Sequence, residues 1–554
     1  MNVSDFLQQQ AAEQPESIAI AEPIKGRWQR RDLPLKERYR CMTFKELAED
    51  STRLAAGLQA MGVTPGTRLA LMIPPSCEFV SWVFALFKAG VVTVLIDPGM
   101  GKKNMINCLQ RVKTEGFVGI SPVQAIRTAL RFKFPTARMN VTVGRRWFWG
   151  GPTSDQLRQT SPNQYTTFTA NPQDPAAIIF TTGSTGPPKG VHYCHQNFYH
   201  QVLQIQQQYQ IAPGERDLPA FPLFGLFNAA MGVATIIPEM DPTRPAHVNP
   251  ENIIIPIQDW EVTQSFGSPA LWETVGKYCE AHQTRMPSLR RILSAGAPVP
   301  PRVLQRMRNA MAEDGDMHTP YGATESLPVA TISATEVLSE TAAQTASGRG
   351  TCVGNKFNGI DWRVIEIHDS EFNDISETVE LDRGQIGELI VRGNVVTSHY
   401  VTHEQETRLH KIKDADSFWH RMGDVGYLDD ENRFWFCGRK AHRVELTDQT
   451  VFTIPSEAII NQHQRVYRCA IVGVDNLGIQ EAALIVECWP EHQVQSRKDE
   501  QQLLGELREL ASSNTLTTCL KHFLIRDALP VDIRHNAKIF REKLAVWAKE
   551  KLGL

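Results

Sequence analysis

The chain has 554 residues, of which 42% are hydrophobic and 21% charged, with a formal net charge of −3. That length exceeds a single hydrophobic core, so two or more domains are expected, and the composition is that of an ordinary globular protein. The near-balanced charge excludes a general electrostatic pull toward nucleic acid or anionic membranes.

The first residues, Met1-Asn-Val-Ser-Asp-Phe-Leu-Gln-Gln-Gln, lack a basic start and an apolar core, which reads against a secretory leader. A basic stretch, Lys25 to Arg40, reads as a solvated hairpin and precedes Met42-Thr-Phe-Lys-Glu-Leu. Strand-like apolar runs then alternate with amphipathic helical patterns, as in an open α/β sheet: Arg68-Leu-Ala-Leu-Met-Ile, Val91-Val-Thr-Val-Leu-Ile, Ala177-Ile-Ile-Phe and Arg291-Ile-Leu-Ser. The longest apolar stretch, Phe79 to Ile96, is broken by Lys88 and Gly90 and predicts a helix running into a buried strand, not a membrane span. Residues Arg127 to Trp149 mix Arg and Lys with Phe132, Phe134, Trp147, Phe148 and Trp149. Such a segment sits on a membrane surface or a partner, or is an ordinary packed helix. For a lipid substrate it is a candidate entry side. The Gln-rich patch Gln204 to Gln210 fits a polar helix face. Near Gly438 the composition changes to short strands, Cys469-Ala-Ile-Val-Gly-Val and Ala483-Leu-Ile-Val-Glu-Cys, followed by a polar helix from Asp499 to Ser513. We therefore expect domains over 1–438 and 439–554, the second a small α+β unit. Ten scattered cysteines without a C-x-x-C pair suit free thiols in a cytoplasmic protein.

One loop concentrates chemistry. Phe180-Thr-Thr-Gly-Ser-Thr-Gly-Pro-Pro-Lys189-Gly190 follows a strand-like run and ends in a lysine. Small residues let the backbone approach an anion, hydroxyl and N–H groups donate to phosphate oxygens, and the lysine adds a point charge. The spacing is not that of a Walker loop. It resembles the phosphate loop of adenylate-forming enzymes, the superfamily of acyl-CoA synthetases, luciferases and peptide-synthetase adenylation domains. The resemblance assigns Thr181, Thr182, Gly183, Ser184, Thr185, Gly186 and Lys189 to the triphosphate.

Four further elements resemble that superfamily in the same order. Ser294-Ala295-Gly296-Ala297-Pro298 resembles the adenine-wall loop, so Gly296, Ala297 and Pro298 would flank the base. Tyr321-Gly322-Ala323-Thr324-Glu325 matches Tyr-Gly-x-Thr-Glu, which puts Tyr321 and Gly322 near adenine, Thr324 on phosphate and Glu325 on Mg²⁺. Arg421-Met-Gly-Asp424 and Gly438-Arg439 resemble the ribose-binding pair. An ionised carboxylate accepts two O–H donors at once and so suits a vicinal diol. Pro530-Val-Asp-Ile-Arg-His-Asn-Ala-Lys538 resembles the final motif, whose lysine stabilises the adenylation transition state, although Asn536-Ala537 replaces the usual Ser-Gly. Singly, each has a bland reading: surface loop, strand-end turn, helix N-terminal carboxylate, turn-forming aspartate, solvated lysine. Together the resemblance spans nearly the whole chain. It implies an α/β protein with a large N-terminal domain of two doubly wound sheets plus a small barrel, followed by a mobile α+β lid. Lys538, Glu325 and Lys189 become the catalytic candidates, with ATP and Mg²⁺ required.

The second half-reaction is read from departures. Ala441 stands where the hinge is commonly Asp or Lys, and Val444 to Glu457 is about two residues longer than the family's segment and lacks the glycine beside the pantetheine tunnel. Phe221-Pro-Leu-Phe-Gly225-Leu-Phe-Asn has Gly225 at a usual gate position, which would leave space beside apolar walls of Phe224, Leu226, Phe227 and Met231. The bland reading of Gly225 is a packing residue. These segments, with Ile454-Pro-Ser-Glu-Ala-Ile-Ile-Asn-Gln-His, resemble the β-lactone synthetase branch of olefin biosynthesis. There a 2-alkyl-3-hydroxy fatty acid is adenylated and its own hydroxyl expels AMP, without coenzyme A. His195 is a candidate base for that hydroxyl. A long- or medium-chain acyl-CoA synthetase and an inactive acyl- or AMP-binding module remain as alternatives. Nucleic acid is not an expected partner; a membrane surface or neighbouring pathway enzymes are compatible with the reading.

Overall fold

The structure, a computed structural model, describes residues 2–181, 187–221, 224–532 and 538–554. The chain up to Arg439 builds three sheets. The first has six strands in the order Val141–Val143, Gly116–Ile120, Arg68–Met72, Val92–Leu95, Pro175–Phe180 and Gly190–Cys194, parallel except for the last pair. The second has nine strands. Its parallel centre runs through Asp316–Ala323, Arg291–Ser294, Gln264–Gly267, Arg216–Pro219, Ala234–Ile236 and Ile18–Pro23. Antiparallel strands close both edges, Ser326–Ser333 and Asn355–Lys356 on one side and Tyr39–Thr43 on the other.

Strands buried on both faces need apolar residues at every position, which is why Leu69 to Met72 and Ala176 to Phe180 read as unbroken runs. The helix Cys77–Lys88 between the first two sheets is buried at every residue except Glu78. A helix apolar all round has no solvent face and belongs in a core. Lys88 ends it by donating to Ala48 O at 2.7 Å, Ser51 Oγ at 2.8 Å and Thr52 Oγ1 at 2.8 Å. Burial drops its ammonium to about 7. The preceding helix, Phe44–Ala60, opens on a reciprocal cap between Thr43 and Glu46.

The third sheet is antiparallel and stands where the barrel-like part is expected. Its order is Thr351–Cys352, Phe434–Arg439, Ser417–Leu428, Gly387–Gly393 and Ile360–Ile365, with Lys411–Asp414 also on Ser417–Leu428.

Beyond Arg439 come a short hairpin, Val444–Glu445 with Thr450–Val451, and the helix Thr453–Ile460. A three-stranded sheet follows, with Val466–Asn476 antiparallel to Ile479–Cys488 and Leu520–Ile525 parallel to it. Its period-2 pattern feeds two cores: Cys469, Ile471, Leu484 and Val486 pack with Leu503 and Leu507 of helix Arg497–Ser512, while Ala470, Val472, Ala483 and Ile485 pack with Leu544 and Ala548 of helix Arg541–Leu552.

Two expectations change. Residues 127–149 are not one helix: helix Ser121–Ala129 ends, a 3₁₀ turn covers Arg131–Lys133, and Val141–Val143 forms an edge strand. Pro135 and Gly144, at φ +84°, interrupt any helical run. The helix that the sequence leads one to start at Glu457 begins instead at Thr453, because a proline in the first turn lacks only an N–H that would be unpaired anyway. All ten cysteines are free thiols. Among the described residues no helix is long and apolar enough to cross a membrane.

Candidate active site

The expected nucleotide residues gather where the parallel strands of both large sheets end and the antiparallel sheet meets them. Thr181 closes the base of the phosphate loop: its N–H donates to Lys189 O at 3.0 Å, and the Lys189 N–H donates to Thr181 Oγ1 at 3.2 Å. Thr182, Gly183, Ser184, Thr185 and Gly186 lie outside the described residues. Lys189 Nζ is 2.6 Å from Glu406 Oε2 and 5.3 Å from the centre of the Tyr400 ring.

Tyr321 to Glu325 continue the strand Asp316–Ala323 through a bulge. A Cβ on Gly322 would stand 2.7 Å from Ser326 O, so only glycine lets the chain bend back this closely. The turn is clamped from both sides. Tyr193 Oη donates to Thr324 O at 2.5 Å, and the N–H and Oγ1 of Thr397 donate to Glu325 O at 2.9 and 3.0 Å. The Glu325 carboxylate accepts from Tyr400 Oη at 2.7 Å through Oε1. No group of three or more metal-ligating side chains occurs among the described residues. A single hard carboxylate suits Mg²⁺ shared with substrate phosphates and water, and does not suit an ion caged by protein alone.

Register sets the expected ribose pair. Asp424 lies opposite Arg439 on paired strands, with Asp424 Oδ1 2.9 Å from Arg439 Nη1. Tyr321 Oη donates to Asp424 Oδ2. Burial pushes the Asp424 carboxyl up, opposed by the Arg439 charge, the Tyr321 hydroxyl and the Lys538 ammonium. Lys538, from the far end of the chain, therefore acts electrostatically on the same carboxylate. Its backbone is held by Asp532, which accepts the Lys538 N–H at 2.9 Å and donates its own N–H to Lys538 O at 3.0 Å. Three residues before Asp424 on the same strand, fully buried Arg421 places its Nη2 2.6 Å from Glu388 Oε2. Lys440 reaches the same oxygen at 3.1 Å and so ties the residue after Arg439 to the large part of the molecule. Gly296, at φ +97°, turns the chain after strand Arg291–Ser294, leading through Ala297 to Pro298. That strand is the parallel neighbour of Asp316–Ala323, which puts the loop beside Tyr321.

The apolar candidates lie in helix Phe224–Met231. Phe224 stacks on Phe266 at 3.5 Å between ring centres, and Phe224 and Phe227 line a narrow cavity with Ile205, Met231 and Leu293. Gly225 does not line it. A Cβ there would be 3.3 Å from Thr235 Cγ2, so this glycine seats the helix on strand Ala234–Ile236. The cavity also holds polar groups that sequence reading missed. Asp217 accepts from Asn228 Nδ2 at 2.6 Å, and burial pushes its carboxyl up to about 7. The available signal was an aspartate inside the strand Arg216–Pro219. Tyr400 and Glu406 were also missed, since they follow strand Gly387–Gly393 in a segment with no motif of its own.

His195 is not part of this cluster. It begins helix His195–Tyr209 at the far end of strand Gly190–Cys194, about 20 Å from Lys189 at strand rise. Its ring packs near Phe87 and Phe168, and burial lowers it to about 4.

The profile of the AMP-binding enzyme family matches residues 7–401. The chain belongs to this family. It is an AMP-forming, acid-activating ligase of the adenylate-forming superfamily. Over its full length this member is 41% identical to an olefin β-lactone synthetase of Stenotrophomonas maltophilia, covering 100% of this chain and 98% of that protein. A second, from Xanthomonas campestris pv. campestris, is 40% identical and covers 99% and 98%. Among solved structures, an amide bond synthetase from Marinactinospora thermotolerans superposes with a TM-score of 0.78 at 18% identity, covering 99% of each chain. The likeness confirms the adenylate-forming fold, with its large N-terminal and small C-terminal domains.

Proposed function

We propose that this enzyme adenylates a 2-alkyl-3-hydroxy fatty acid and closes the adenylate to a β-lactone, releasing pyrophosphate and AMP. The observation that carries the reading is the full-length 41% identity to an olefin β-lactone synthetase, with no large unmatched segment in either chain. In this scheme the substrate carboxylate attacks the α-phosphate of ATP and pyrophosphate leaves. Asp424 accepts the ribose hydroxyls, exchanging its Tyr321 hydrogen bond for them, and Arg439 neutralises it. Gly296 to Pro298 and Tyr321 flank the base. Thr181 to Gly186, Thr324 and Lys189 hold phosphate oxygens, and Lys538 meets the charge that develops on the α-phosphate. Glu325 would hold Mg²⁺, which when bound neutralises phosphate charge. The 3-hydroxyl oxygen then bonds to the acyl carbon, the acyl–phosphate C–O bond breaks, and the hydroxyl proton passes to base or solvent as AMP departs. The tether replaces an external thiol. Residues 1–438 form the body and 439–554 the lid, turning near Lys440.

Product analysis tests this directly. The protein is incubated with ATP, Mg²⁺ and a racemic 2-alkyl-3-hydroxy fatty acid, with and without coenzyme A, and the extract is read by mass and NMR. β-Lactone and AMP formed equally without coenzyme A are expected. An acyl-CoA that appears only with coenzyme A would overturn the lactone step and assign a CoA ligase.

A further inference from the structure

Eleven large hydrophobic side chains are exposed among the described residues, and the three aromatic ones all lie between Phe132 and Phe148. Phe132 is 71% exposed, Trp147 52% and Phe148 76%, with Ile126 nearby at 55%. Residues 121–150 also carry six cations (Arg127, Arg131, Lys133, Arg138, Arg145 and Arg146) and no Asp or Glu. None of the six lies within 4.0 Å of a carboxylate among the described residues. In a chain whose net charge is −3, this segment is one-signed.

The projecting rings are held outward by a buried pivot. Trp149 is buried and donates Nε1–H to Thr142 Oγ1 at 2.8 Å. The rings of Trp147 and Phe148 rest on it at 5.4 and 5.1 Å. Ser121 Oγ donates to Arg145 O, and Arg146 Nη1 donates to Gly151 O at 2.6 Å, pinning both ends of the loop. Phe132 is set out in the same way, two residues before buried Phe134, which packs on Phe117 at 5.1 Å. The loop leaves the C-terminal end of strand Val141–Val143, on the sheet edge from which the phosphate loop leaves Phe180. Four strand spacings, about 19 Å, separate strands Val141–Val143 and Pro175–Phe180.

We propose that this rim seats the enzyme on an anionic lipid bilayer, Phe132, Trp147 and Phe148 entering the headgroup boundary and the cations facing lipid phosphates. Amphipathic aromatic rings favour that depth, and arginines beside them are attracted by the surface potential. The absence of acids within residues 121–150 favours an anionic surface over a protein partner of mixed charge. Such a seat would serve a lactone-forming and a thioester-forming enzyme alike.

Vesicle flotation of the full-length protein tests it. Vesicles of phosphatidylcholine with a phosphatidylglycerol fraction should carry the protein upward at low salt, and vesicles of phosphatidylcholine alone should not. Replacing Phe132, Trp147 and Phe148 together by Ser should abolish flotation. Each of Arg131→Gln, Lys133→Gln and Arg145→Gln should weaken it about fivefold. All these side chains are exposed or partly so, and circular dichroism and melting temperature should match the parent. The proposal is overturned if the parent fails to float, if the two vesicle types carry it equally, or if the variants float like the parent. It also falls if light scattering shows parent self-association that the triple variant loses, which would make the rim a contact between copies.

Discussion

At the scale of single residues, the site is a set of pairs already made. Asp424 has Tyr321 and Arg439, Glu325 has Tyr400, and Lys189 has Glu406. Lys538 adds a charge that reaches Asp424 from a separate segment. Lys538→Ala should therefore slow adenylate formation by about two to three orders of magnitude, as for removal of one transition-state charge contact, while ATP affinity by calorimetry stays near the parent value. Loss of ATP binding would mean that Lys538 builds the ground-state site. Asp217 gives a pH prediction. Its carboxyl sits at about 7 because burial outweighs the Asn228 amide and the Arg291 charge, against about 3.9 when unfolded. The native state then holds an extra proton between those values, so this stabilisation is full below the lower one and lost as pH rises through the upper. Asp217→Asn keeps an acceptor for Asn228 and should flatten that slope, by at most about 1.4 kcal/mol per pH unit. Thermal melts across the interval compare the two. Asp424, Tyr321 and Arg439 were legible in the sequence because each sits in a short run with unusual glycines. Tyr400 and Asp217 were not: Tyr400 meets Glu325 across 75 residues, and an aspartate in a strand reads as an edge residue until burial is known.

Among elements, the small domain is pinned by a buried ion pair. Glu457 of helix Thr453–Ile460 receives Arg541 Nη1 at 2.5 Å and Nη2 at 2.9 Å, and also the Ile471 N–H at 2.7 Å. Removing one partner strands the other in a dry site, so Glu457→Gln should cost about 3–5 kcal/mol. Glu457→Leu with Arg541→Met should recover much of that in denaturant melts. Recovery absent in the double variant would show that the backbone contact to Ile471 dominates. Gly438 has φ +138°, and a Cβ there would stand 3.0 Å from Thr453 Oγ1. Gly438→Ala should lower stability by about 1–3 kcal/mol through backbone strain at the joint. The elements themselves were largely legible, because two-sided burial writes continuous apolar strands such as Ala176 to Phe180. The segment 127–149 misled because its aromatics suggest a packed helix, whereas Pro135 and Gly144 divide it and three of its rings face solvent while two, Phe134 and Trp149, are buried.

For the whole molecule, the two cores beyond Val444 are built almost entirely from residues of that same stretch. Residues 439–554 produced alone should consequently unfold in one cooperative transition with dispersed amide NMR signals; a broad, non-cooperative melt would move the boundary or make the lid dependent on the body. The order of the five nucleotide elements along the chain made the overall architecture readable before any contact was known. What linear order cannot convey is how charge is distributed in space. Six positive charges lie within residues 121–150, so the other residues together carry −9, since −3 minus +6 is −9. That segment therefore sets a local positive pole, at the end of the first sheet where Phe180 leads into the phosphate loop, against a remainder of opposite net sign. Within a Debye length of a negatively charged plane the protein would experience a torque, and it would settle with that end leading although its net charge of −3 gives no long-range pull.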